Sequence, residues 1–190
     1  MSNFVQHTPD TAPEESKTLL LAVKEAWGFI PTMHATLAES PSALAGYETL
    51  WSHISASTLS PVEQQVAYQA VNVLHGCAYC TMGHTYLSRQ VGMSEGTVVR
   101  LRAGLPPEDS KLAALWTFAR TVAEARGEAR EAIPAFLGAG FTKANVLDVV
   151  AVIAAKVIAN YSAALADIPL EAFMSDPAIA WSPAAALAAE

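Results

Sequence analysis

Apolar residues return along this chain at the spacing of a helix face, and helix-breaking residues cut the pattern into short pieces. Leu44, Tyr47, Leu50, Trp51 and Ile54 repeat at intervals of three and four, as do Val66, Ala70, Val73 and Leu74. No segment alternates apolar and polar residues between hairpin turns. The pattern predicts an all-α chain of roughly eight to ten helices, read as a single domain over 1–190.

Cap and breaker residues set the boundaries. Ser16 is expected to cap a helix that reaches Trp27 and stops at Gly28 and Pro31. A short helix follows over Thr32–Glu39, and another over Ser42–Ile54. Ser60-Pro61-Val62-Glu63 carries the residues of a capping box, with proline at the first helical position. That helix continues through Leu74, Gly76 offers a turn, and a new helix opens near Cys77. Further helices are expected over Ser94–Arg102, Glu108–Arg126, Glu131–Ala139 and 143–166, the last opened by Thr142 and ended by Pro169. A short helix near 170–175 leads into an Ala/Pro-rich tail over 176–190, and residues 1–15 read as a loose arm.

Composition narrows the function classes. Apolar residues make up 52% and charged residues 15% of the 190, so the helices are expected to hide further surface in a homo-oligomer. The net charge of −7 comes with no basic stripe, which argues against nucleic acid and anionic membrane surfaces as partners. Val146 to Leu165 is long enough for a membrane span, but Asp148, Lys156 and Asn160 interrupt it, and a buried central helix is expected instead. Met1 to Lys17 has neither the basic nor the apolar region of a secretory signal, so a cytoplasmic location is expected.

The chemistry concentrates in HGCAYCTMGH, His75 to His84, which holds both cysteines of the chain. Read as a helix from Cys77, Cys77, Cys80 and His84 fall within an arc of about 60°. Thr81 and Ser88 share that face, while Tyr79 and Tyr86 point away. A histidine near paired thiols suits dithiol redox chemistry, since it can exchange a proton with a thiolate. Two other readings compete. The cysteines can be inert core residues. Alternatively C-x2-C-x3-H, with His75 or His53 as a fourth ligand, can hold zinc, but no second CxxC or spaced His pair supports a metal site.

Leu59-Ser60-Pro61-x-Glu63 followed by C-x-Y-C-x-x-x-H resembles the carboxymuconolactone decarboxylase/AhpD-like superfamily, most closely its alkylhydroperoxidase-like branch. The motif segment spans 59–104. With GFIP at 28–31, AGF at 139–141 and NY at 160–161, the resemblance extends from about Lys17 to Phe173. It implies an AhpD-like helical bundle assembled as a dimer, trimer or hexamer. It implies thiol peroxidase (peroxiredoxin) activity with no metal or cofactor beyond a redox-active Cys77–Cys80 disulfide. Cys80 is then the peroxide-attacking thiol, Cys77 the resolving thiol and His84 part of a proton relay. A lipoyl or thioredoxin-like dithiol would restore the pair. Helix-dipole reasoning alone favours Cys77 as the more acidic thiol.

The sequence departs from the family at two relay positions. Gln65 stands where members with peroxidase activity carry a glutamate, twelve residues before the first cysteine, and an amide orients a group without accepting its proton. Tyr79 replaces a histidine found in some relatives. Glu63, the nearest carboxylate, completes the capping box and is also a candidate acid or base. Trp27, Phe29 and Met33 are candidate walls of an apolar substrate pocket, and His53 with Trp51 a candidate approach to it, although core positions are their default. Two other functions fit the resemblance: a decarboxylase of a small lactone carboxylate, and a CxxC redox sensor or disulfide-exchange protein with little turnover.

Overall fold

The computed structural model of the chain describes residues 4–183. Those residues form nine α-helices and two short 3-10 turns, with no strand among them. In chain order the helices are α1 (Glu14–Trp27), α2 (Thr32–Leu37), α3 (Pro41–Ser55), α4 (Pro61–Leu74), α5 (Ala78–Gln90), α6 (Glu95–Arg102), α7 (Ser110–Glu124), α8 (Ile133–Gly138) and α9 (Lys143–Ala166). The 3-10 turns are Arg130–Ala132 and Ala172–Ser175.

Helices α4 and α9 make the centre. Every residue of α4 from Glu63 to Asn72 is buried, because α4 packs against α5, α6, α7 and α9 together. On one side Val66, Leu115, Phe118, Phe136 and Val152 build a core in which the Phe118, Phe136 and Phe141 rings stack. On the other side Leu20, Met33, Leu44 and Tyr47 close over Cys77 and Cys80. By length and composition α9 qualifies as a membrane span. Its Val149, Val152, Ala155, Lys156, Ala159 face is instead packed among α3, α4, α5 and α7, as the interrupting polar residues imply.

Side-chain caps explain most boundaries. Ser60 and Glu63 form a complete capping box at α4, and Thr142 with Asn145 forms another at α9. Ser94 and Asp109 cap α6 and α7. Ser16 does not cap α1. The helix starts two residues earlier at Glu14, and the buried Ser16 hydroxyl donates to the Ala38 carbonyl, tying α1 to the end of α2. Asp167, in the left-handed region at φ +49°, ends α9 two residues before Pro169.

The described part of the N-terminal segment is not a loose arm. His7 N–H donates to the Ala35 carbonyl, Gln6 to the Thr36 hydroxyl, and the His7 ring meets Glu39 at 2.8 Å. The segment therefore runs along α2, held by hydrogen bonds that its weak periodicity did not announce. Residues 1–3, and 184–190 of the expected tail, lie outside the described residues. The chain after α9 returns over α5 and α6, where Arg102 donates to the Ile179 and Ala180 carbonyls and Trp181 donates to the Arg102 carbonyl. This return places Glu171, Phe173 and Met174 beside the cysteine helix.

Candidate functional site

The turn between α4 and α5 needs a left-handed residue, and Gly76 supplies it at φ +64°. Cys77 then caps α5: its Sγ accepts from Cys80 N–H at 3.4 Å, in the place usually taken by a serine or aspartate oxygen. The two cysteines approach to 3.3 Å and are free thiols, both buried. Buried amides anchor the start of α5 to α4. Gln69 donates to the Thr81 carbonyl at 3.0 Å and Asn72 to the Cys80 carbonyl at 3.4 Å.

The two sulfurs differ in acidity. A hydrogen bond from the Cys77 thiol holds the Cys80 thiol below its ordinary value against the effect of burial, aided by the charge of Lys156 and by Asn160. Cys77 is pushed up, first by donating to Cys80 and then by burial. These directions run against the helix-dipole argument, which favours Cys77 as the more acidic thiol. As the cap, Cys77 stands before the first turn and gives its proton towards Cys80, whereas Cys80 faces a buried cation.

That cation is the feature sequence reasoning missed. Lys156 is 1% exposed and its Nζ lies 2.9 Å from His84 Nε2. His84 Nδ1 lies 2.8 Å from Gln65 Oε1. An ammonium only donates, so Nε2 accepts from Lys156 and Nδ1–H donates to the amide oxygen. Burial, reinforced by the Lys156 charge, keeps the ring far below its ordinary value and hence neutral. Burial also lowers Lys156, while Cys80 and Cys77 pull it back up. The signal in the sequence was a lysine inside the apolar run of α9, noted only as a reason against a membrane span. A buried lysine needs a partner or a task.

A cavity of about 220 Å³ reaches Cys80, His84 and Lys156. Trp27, Phe29, Met33, Tyr47 and Trp51 form much of its wall. Tyr79 and Tyr86 also line it, contrary to the expectation that they point away. The reason lies outside the helix wheel: the returning segment 171–174 builds the second side of the cavity, across the flank of α5 that carries both tyrosines. Tyr79 donates to Glu171 Oε1 at 2.8 Å, and the same oxygen accepts from Thr32 N–H and Oγ1–H at 2.6 and 2.9 Å.

The other candidates sit elsewhere. Glu63 is consumed by its capping box and by Lys111 at 2.7 Å, and it does not line the cavity. His53 is exposed and away from the cavity, although Trp51 lines it. His75 contacts Asn160 Oδ1 at 2.9 Å, one residue removed from Cys80, and is not a wall residue. No group of three or more His, Cys, Asp or Glu suited to a metal occurs among the described residues.

Residues 41–125 match the carboxymuconolactone decarboxylase family model. A solved structure of an alkylhydroperoxidase AhpD core, a peroxidase-related protein from Ralstonia eutropha JMP134, shares the fold at a TM-score of 0.76 and 19% identity, over 90% of this chain and 95% of that one. A peroxidase-related protein from Silicibacter sp. TM1040 aligns at 0.73 and 19% identity, over 90% and 91%. The debrominase Bmp8 aligns at 0.70 and 17% identity, over 100% and 98%, and is also solved as a Cys→Ala variant with 2,3,4-tribromopyrrole. No sequence among functionally curated proteins matches the chain. The family match covers residues 41–125, and over its wider length the chain shares the all-helical fold of these solved structures.

Proposed function

We propose that the chain is a dithiol-dependent reductase of organic hydroperoxides, with Cys80 as the attacking thiolate and Cys77 as the resolving thiol. One observation carries the reading: of the two sulfurs, the one favoured as thiolate is the one that lines the cavity. The Cys80 thiolate attacks the distal peroxide oxygen and becomes a sulfenic acid as the O–O bond breaks and an alkoxide leaves. The Cys77 thiol then displaces water to give the disulfide, and an external dithiol, lipoyl or thioredoxin-like, reduces it. The residues themselves require no further cofactor.

A second substrate class uses the same sulfurs. The largely aromatic wall and the debrominase fold neighbour favour a halogenated ring. The thiolate would take up the halogen, the ring carbanion would gain a proton, and Cys77 would expel halide to form the same disulfide. A lactone decarboxylase would not need the cysteine pair.

Steady-state reduction of cumene hydroperoxide with dihydrolipoamide tests the reading, with bromide release from a brominated pyrrole as a parallel assay. The expected outcome is loss of hydroperoxide turnover by about two orders of magnitude in Cys80→Ser. Equal rates for wild type and that variant would overturn it.

A further inference from the structure

We infer that Lys156 is the counter-ion of the Cys80 thiolate and the proton source for the departing alkoxide, doing from α9 what the resemblance assigns to a glutamate at position 65. The inference rests on the reading of Cys80 as the attacking thiolate.

The first argument is the lack of another anion. A buried ammonium persists only when paired. The polar groups around Lys156 are Cys77, Cys80 and His84 at α5, with Gln65 beyond His84 on α4, and the Tyr68 ring of α4 lies 5.3 Å away. Tyr47 on α3 and Glu171 share the cavity wall. Glu171 already serves Thr32 and Tyr79, and Glu48 serves His34. No carboxylate forms an ion pair with Lys156 among the described residues. The Cys80 thiolate is the anion left to balance it.

The second argument explains Gln65. The neutral amide accepts Nδ1–H and leaves Nε2 as a bare acceptor aimed at Lys156. A carboxylate at 65 would draw a second proton onto the ring, and imidazolium would then face ammonium. Glutamine at 65 and lysine at 156 are mutually consistent, and the missing acid is a change of relay.

The proton balance closes. Cys80–S⁻ and R–O–OH give Cys80–S–OH and R–O⁻, and Lys156–NH₃⁺ protonates the alkoxide to leave R–OH and Lys156–NH₂. Cys77–SH and Cys80–SOH form the disulfide and water. The incoming dithiol returns one proton to Cys77 and one to Lys156.

The test measures the rate of Cys80 alkylation against pH, resolved from Cys77 by peptide mass mapping, beside hydroperoxide turnover. Lys156→Met removes the charge at similar length, Lys156→Gln keeps a polar group without charge, and Lys156→Arg keeps the charge. In the methionine and glutamine variants the alkylation midpoint is expected to rise by at least about one pH unit. Their turnover near pH 7 should fall at least about tenfold and recover as pH rises, while arginine holds the midpoint near wild type. An unchanged midpoint in the folded methionine or glutamine variant overturns the inference. A shifted midpoint in a protein whose wild type reduces no hydroperoxide would instead retain Lys156 as counter-ion and overturn both its proton-donor role and the proposed substrate.

Discussion

His84 Nδ1 lies 2.8 Å from the Gln65 amide oxygen, and that contact decides which nitrogen of the ring is free to accept. Gln65→Leu removes the acceptor and leaves a buried donor unpaired, at a cost of about 1–3 kcal/mol. The ring loses its fixed tautomer, so kcat/KM is expected to drop about tenfold or more, together with a lowered melting temperature. Gln65→Glu has a different signature. Its carboxylate raises the imidazole, so nitrogen NMR should show His84 titrating in a range where the wild-type ring stays neutral. A wild-type ring titration in that variant would contradict the assigned bond.

The unequal acidities of the thiols make a second prediction. Cys80 is held low and lines the cavity, whereas Cys77 is raised and does not. Iodoacetamide near neutral pH should label Cys80 first in the reduced protein, and the rate should fall as the solution is acidified through the depressed value. The same linkage acts on stability. A thiol lowered on folding contributes stability above its unfolded value, about 8.5, and loses it as pH falls through the folded one. The melting difference between reduced wild type and Cys80→Ser should therefore shrink in acid. Preferential labelling of Cys77 would refute the assignment.

The parts of the fold legible in the sequence were those governed by local chemistry. Ser60-Pro61-Val62-Glu63 and Thr142 fixed the starts of α4 and α9 because caps act within four residues. The site was half legible for the same reason. Cys77, Cys80 and His84 sit within about two turns of chain, so spacing alone brought them together. Lys156 comes from 72 residues further on, and no local pattern ties it to His84. Tyr79 and Tyr86 were misplaced because a helix wheel knows one side of a cavity, and here the returning segment 171–174 builds the other.

That returning segment is held by Tyr79, whose burial raises its phenol and keeps it a donor. Tyr79→Phe removes a donor to Glu171 Oε1 and the acceptor of Met33 N–H, and leaves Glu171 the Thr32 N–H and a Thr32 hydroxyl shared with the Pro169 carbonyl. The expected loss is about 1 kcal/mol of stability. Because Glu171 and Phe173 line the cavity but donate nothing to the sulfurs, KM for a bulky hydroperoxide should rise several-fold with kcat little changed. A fall in kcat at constant KM would instead assign Tyr79 to the proton path.

Gly83 gives the sharpest test of what the cavity admits. It lines the cavity from α5, and a Cβ there would meet only the Met174 methyl, at 3.6 Å. Gly83→Leu therefore directs a branched side chain into the space between Cys80 and the 171–174 segment, while gaining about 1 kcal/mol of helix propensity. The thiols, His84, Gln65 and Lys156 keep their own partners. Reduction of cumene hydroperoxide should fall about a hundredfold, a loss of roughly 2.7 kcal/mol in transition-state binding. Any turnover of hydrogen peroxide, which needs little room, should stay within about threefold of wild type. Equal loss of both substrates would mean that the substitution disturbs the sulfurs, and retention of both would mean that hydroperoxides reach Cys80 by another route.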